Sequence, residues 1–188
     1  MDGMSTVSQP ADRPDVDLGQ LLEQFYSDQP GHGELGQFTP VASVPVPYDR
    51  LLDHHAHMTV TVEAYLGQLV DVLVHRTDRQ ANWYAREITL AGTQSGKIIQ
   101  YGIVRLNVDV LAPEVWRRIE SQEVPLGRVL IEHNVLREVQ LCGLWRVEAG
   151  PALARFMDLQ PGRIVYGRTA LIYCDGHPTI ELLEIVNE

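Results

Sequence analysis

The chain has 188 residues, 45% of them hydrophobic and 21% charged, with 15 Lys and Arg against 25 Asp and Glu for a net charge of −10. That length suits one domain able to bury a core without metal or disulfide staples, and the acidic balance speaks against a nucleic-acid partner, because phosphate affinity rests on clustered Lys and Arg. Two cysteines, Cys142 and Cys174, make no disulfide framework; no stretch approaches the ~20 apolar residues of a membrane span, and the polar, acidic start is unlike a signal peptide, so a cytoplasmic protein without a membrane partner is expected.

Residues 1–17 are acidic, contain proline and carry almost nothing large and apolar, which predicts a disordered tail. Leu18, Leu21, Leu22 and Phe25 then recur at helical spacing. The stretch 30–47 is rich in Gly and Pro and reads as a wrap over the surface, so that 18–47 forms a helix plus wrap ahead of a patterned domain at 48–188. Residues 48–67 read as helix with a break near Met58 and Thr59, Thr59 serving as N-cap of the second piece. Strands are predicted at 68–76, 82–91 and 97–108, helices at 113–122 and after Pro125, a strand at 136–147 and a short helix at 150–159. The chain closes with 164–174, a turn at Asp175 and Gly176, and 179–186, a hairpin signal. Helices first, then strands with helices inserted between them, predict an α+β single domain: a largely antiparallel six-stranded sheet with helices packed on one face.

Strand parity sorts side chains by face. At 82–91, Arg86 shares its face with Tyr84, Ile88 and Leu90, where an unpaired guanidinium is expensive. It is either a rim or core ion-pair residue or an anion receptor, since Arg offers a planar fork to a carboxylate. In the last strand Glu184 goes with Ile180, Leu182 and Val186, and Glu181 with Leu183 and Ile185, so one glutamate is semi-buried without parity choosing which. Such a carboxyl is either a proton donor made less acidic by burial or the partner of Arg86, Arg105 or Arg168. Pro125, Leu126 and Gly127 open a helix, whose free N–H groups favour an anion. His54, His55 and His57 lack acidic or cysteine partners at metal-ligand spacing, so no metal is expected, and Cys142 and Cys174 read as core residues.

Taken in order, HMT at 57–59 with LLD upstream, YAREITL at 84–90, VPLGRVL at 124–130, GLW at 143–145 and DGHPTIELLE at 175–184 resemble the chorismate lyase superfamily, in the longer bacterial and plastid form. The resemblance spans 51–186 and implies the superfamily's fold. It places the carboxylate-binding arginine on Arg86, the backbone amide contact on Leu126 and the acidic residue on Glu184, with Met58 and Thr59 under a mobile flap and Arg168 or Arg105 as candidates for a second carboxylate. The implied activity is elimination of pyruvate from chorismate to give 4-hydroxybenzoate, with slow product release, no cofactor, and a monomer or homodimer acting on an aromatic or enolpyruvyl acid. The alternatives are a lyase or cyclase for another carboxylic acid, or a binding module for a small acid that performs no chemistry.

Overall fold

A computed structural model describes residues 14–26, 33–135 and 137–188. Most of the expected tail, residues 1–13, and part of the expected wrap lie outside the described residues. Within the rest of the tail, Val16 is buried and the Asp17 carboxylate accepts from the Gln20 N–H, capping α1 (Leu18–Glu23).

Inside the expected wrap the chain forms a strand, β1 (Gly36–Val41). Two helices follow, α2 (Tyr48–Leu52) and α3 (Met58–Leu66). The N-cap of α3 is His57, not Thr59, which is already inside the helix. Then come β2 (Val70–Gln80), β3 (Trp83–Gly92) and β4 (Ile98–Asn107), followed by α4 (Pro113–Glu120) and α5 (Leu126–Glu132). The chain ends with β5 (Arg137–Ala149), α6 (Pro151–Met157), β6 (Ile164–Cys174) and β7 (His177–Val186). All seven strands join one antiparallel sheet in the order β1-β5-β6-β7-β4-β3-β2.

The α+β class and the antiparallel sheet agree with the sequence reading; two details change. The sheet has seven strands rather than six, because β1 joins as an edge, where Pro40 needs no ladder partner on its open side. Helices also cover both faces rather than one. On one face Leu21 and Leu22 of α1 and Leu153 and Met157 of α6 bury Tyr101, Ile103, Leu183 and Ile185. On the other, α2 and α3 lie over Ile88, Leu90 and Val186, while α4 and α5 lie over Val104, Ile172 and Leu182. Both faces of β3, β4 and β7 are therefore apolar, which is why their sequences lack a clean polar alternation.

Charges inside this sheet are handled in opposite ways on its two faces. Glu87, fully buried beside α1, accepts from Tyr26 Oη (2.6 Å), Tyr101 Oη (2.6 Å), Arg76 Nε (2.6 Å) and Arg76 Nη2 (3.0 Å). Burial pushes its carboxyl up, but the hydrogen bonds from Arg76, Tyr101 and Tyr26 outweigh that and hold it below its ordinary value. Arg86, the preceding residue, points to the other face.

Candidate functional site: a closed chamber over β3, β4 and β7

Three strands supply the floor. Arg86, Ile88 and Leu90 of β3 alternate onto it, as do Gln100, Gly102 and Val104 of β4 and Leu182 and Glu184 of β7. Register aligns Arg86 with Val104, Ile88 and Glu184 with Gly102, and Leu90 and Val186 with Gln100. Gly102 carries no side chain between these rows, and a Cβ there would lie 3.2 Å from Leu183 O, 3.5 Å from Ile88 Cγ1 and 3.6 Å from Gln100 Nε2. The roof is made by two helix N-termini: Met58 and Thr59 of α3, preceded by His57, and Leu126 and Gly127 of α5, preceded by Pro125. The space they enclose is small, about 30 Å³.

The roof closes because α5 begins with a small residue. A Cβ on Gly127 would lie 2.8 Å from Thr59 Oγ1, so glycine permits the close approach of α5 to α3. Farther along, the Arg128–Glu63 ion pair ties the two helices. The first N–H groups of α5, at Leu126 and Gly127, precede any intrahelical acceptor.

Arg86 has no exposed surface, and Nε, Nη1 and Nη2 all lack a hydrogen-bond partner. Burial pushes its guanidinium below the ordinary arginine range, the Tyr84 hydroxyl beside it acting the other way. A buried cation without a counter-charge is rare, since desolvating an ion costs several kcal/mol. Two further buried atoms on the chamber wall lack partners: Gln100 Oε1 and His57 Nε2. The His57 imidazole is lowered to about 4, first by burial and then by Arg137 and Arg168, so it is neutral near pH 7.

Glu184 and Arg168 face each other across the β6–β7 register and form an ion pair of 2.7 Å through Nε. The rest of the Arg168 guanidinium holds the segment between α2 and α3. Nη1 donates to His54 O (2.9 Å), to Leu52 O (3.4 Å) and to His54 Nδ1 (3.2 Å), and Nη2 donates to Ala56 O (3.2 Å). His54 Nε2 donates to Leu51 O (2.9 Å), which leaves Nδ1 as the acceptor for Arg168 and for the Ala56 N–H. Arg168 is thus a staple for the roof, fully engaged with the protein, where the resemblance offered it to a second carboxylate.

The structure brings Arg86, Glu184, Leu126, Met58, Thr59 and Arg168 to one cavity. Glu181 and Arg105 pair with each other away from it. His55 Nδ1 meets Val139 O, and among the described residues no group of three His, Cys, Asp or Glu side chains is placed to hold a metal. Cys142 and Cys174 are both raised to about 11, mainly by burial. Sequence reasoning missed Gln100 and His57 as site residues. The parity argument that exposed Arg86 works for Gln100 too, because it shares its strand face with Gly102 and Val104. His57 has no such signal, since its burial depends on how α5 sits against α3.

No family model matches the sequence, and no curated protein matches it. Solved structures do. PhnF from Mycobacterium smegmatis superimposes with a TM-score of 0.53 at 8% identity, over 70% of this chain and 64% of that one. The ligand-binding domain of a protein described as a GntR-family transcriptional regulator from Bordetella bronchiseptica gives 0.47 at 13% identity, over 63% of this chain and 85% of that one. YydK of Bacillus subtilis, described as a possible transcriptional regulator, gives 0.45 at 12% identity, over 63% and 58%. At these identities the likeness is one of fold, and that fold is the chorismate lyase-like α+β arrangement.

Proposed function

We propose that this chain binds a small organic acid in the closed chamber, with the acid's carboxylate on Arg86. One observation carries the reading: a fully buried guanidinium whose three nitrogens find no acceptor in the protein, on the wall of an enclosed cavity. A carboxylate would accept two parallel N–H bonds from that fork and supply the missing counter-charge. The Leu126 and Gly127 N–H groups at the start of α5 are on the same wall and add donors of the same sense. Fold alone does not fix chemistry, so binding is the function the geometry supports best.

A second reading is elimination of pyruvate from chorismate, which the sequence resemblance implies and for which Glu184 is at hand in the same chamber. There Glu184 would protonate the departing enolpyruvyl group as the ether C–O bond breaks and the ring aromatises. The Arg168 ion pair on Glu184 makes this the weaker of the two. Calorimetric titration with 4-hydroxybenzoate should show saturable binding to the wild type and none to Arg86→Ala. Chorismate, followed with a pyruvate-coupled dehydrogenase, should give no release above the uncatalysed rate. Release by the wild type that Glu184→Gln lowers by ~10²–10⁴ would make the protein a lyase; equal binding to the wild type and Arg86→Ala would end the acid-receptor reading.

A further inference from the structure

The second unpartnered group on the chamber floor is Gln100. It is 3% exposed, its Oε1 has no hydrogen-bond partner, and by register its neighbours across the sheet are Leu90 and Val186. An amide oxygen buried there without a donor costs about 1–3 kcal/mol relative to a satisfied one, and leucine or methionine would fill the place with no such cost. Arg86 lies two rows away on the same floor, beside Val104, with Gly102 in the row between them. The two groups have opposite needs: a guanidinium only donates, and Oε1 only accepts.

We infer that Gln100 is a specificity residue, and that the ligand is an acid carrying a hydroxyl or N–H at the end remote from its carboxylate, donated to Gln100 Oε1. This rests on the acid-receptor reading of the chamber and adds to it the second recognition point. A site with a buried acceptor rejects an analogue that lacks the donor, because the acceptor is then left unpaired in a dry cavity. A fluorine in place of hydroxyl keeps the size and removes the donor.

The test uses the whole chain and a set of small acids: benzoate, its 2-, 3- and 4-hydroxy isomers, and the matching fluorobenzoates, titrated by calorimetry. At least one hydroxy isomer should bind the wild type tenfold or more tighter than both benzoate and its fluoro counterpart. In Gln100→Leu, and in Gln100→Met should the first variant fold poorly, that ratio should fall to about one, whereas Glu181→Gln, whose carboxylate pairs with Arg105 away from the chamber, should keep it. A wild type that binds benzoate with no gain from any hydroxyl overturns the inference while leaving the acid receptor standing. So does a preference that persists in the Gln100 variants or disappears equally in Glu181→Gln. If none of these acids binds the wild type, the acid-receptor reading falls and the role of Gln100 falls with it.

Discussion

Arg86 sits where stability alone would place a hydrocarbon. Without ligand it is a buried cation with no counter-charge in the protein, only the Tyr84 hydroxyl acting on it, and replacing even a buried ion pair by apolar side chains of similar volume is often neutral or stabilising by about 1–4 kcal/mol. Arg86→Met should therefore raise the melting temperature of the free protein while losing the stabilisation that a bound acid gives the wild type. A melting temperature well below the wild type would mean that Arg86 has a structural partner and is no vacant receptor. His57 gives a pH signature of its own. Its unfolded imidazole takes a proton near pH 6.5, but the folded one stays neutral until about 4. Its contribution is thus complete above about 6.5 and is lost as pH falls toward 4; His54 and His75, also lowered mainly by burial, act in the same direction. Urea midpoints at pH 7 and pH 5 should differ less for His57→Gln than for the wild type, and an equal difference would place the acid sensitivity elsewhere. Parity in the sequence was enough to put Arg86 on an inward face, because a charge among Ile and Leu stands out; between Glu181 and Glu184 parity did not choose, and only the resemblance pointed to Glu184. Which carboxylate pairs with which guanidinium was not legible, since it depends on strand neighbours far apart in the chain: Arg168 with Glu184 and Arg105 with Glu181.

At the scale of elements, the roof of the chamber is two helix starts pressed together at Thr59 and Gly127. The residues lining the space beneath are buried apart from His57, so on the acid-receptor reading a ring-sized acid reaches it by parting α3 and α5. Gly127→Ala places a methyl 2.8 Å from Thr59 Oγ1, and forcing that gap open costs about 1–3 kcal/mol, as overpacking usually does. Stopped-flow measurement with 4-hydroxybenzoate should then show faster association and faster release than in the wild type; unchanged rates would mean that the roof does not limit passage. The sequence located both helices, yet it put the α3 cap two residues late, at Thr59. Capping by type favours threonine, but here the His57 backbone carbonyl opens the helix and accepts from both the N–H and the Oγ1 of Thr61. The strand β1 was hidden by its own composition, because an edge strand between Gly36 and Pro40 carries the residues that mark a loop.

For the molecule as a whole, the order of helical and alternating patterns was sufficient for the α+β class and for most of the strands. The placement β1-β5-β6-β7-β4-β3-β2 was not, since pairing β4 with β7 joins segments some eighty residues apart and leaves no local trace. The helices on the second face follow from the same limitation: α1 and α6 read as separate short helices, and only the assembled sheet shows that Tyr101, Ile103, Leu183 and Ile185 needed a cover there. That face also shows how a buried charge is made permanent. Glu87 has four donors and belongs to the architecture, whereas Arg86 next to it has none.

The commitment of Arg168 to Glu184 and to the Leu52, His54 and Ala56 carbonyls has an ionic consequence for whatever occupies the chamber. The charged side chains lining it are two arginines and one glutamate, with the neighbouring imidazole uncharged, which leaves a single positive charge to be balanced. One carboxylate makes the occupied space electroneutral. On the acid-receptor reading a diacid would bring in a second anion with no guanidinium left to meet it, so a monovalent acid is the guest that balances this interior.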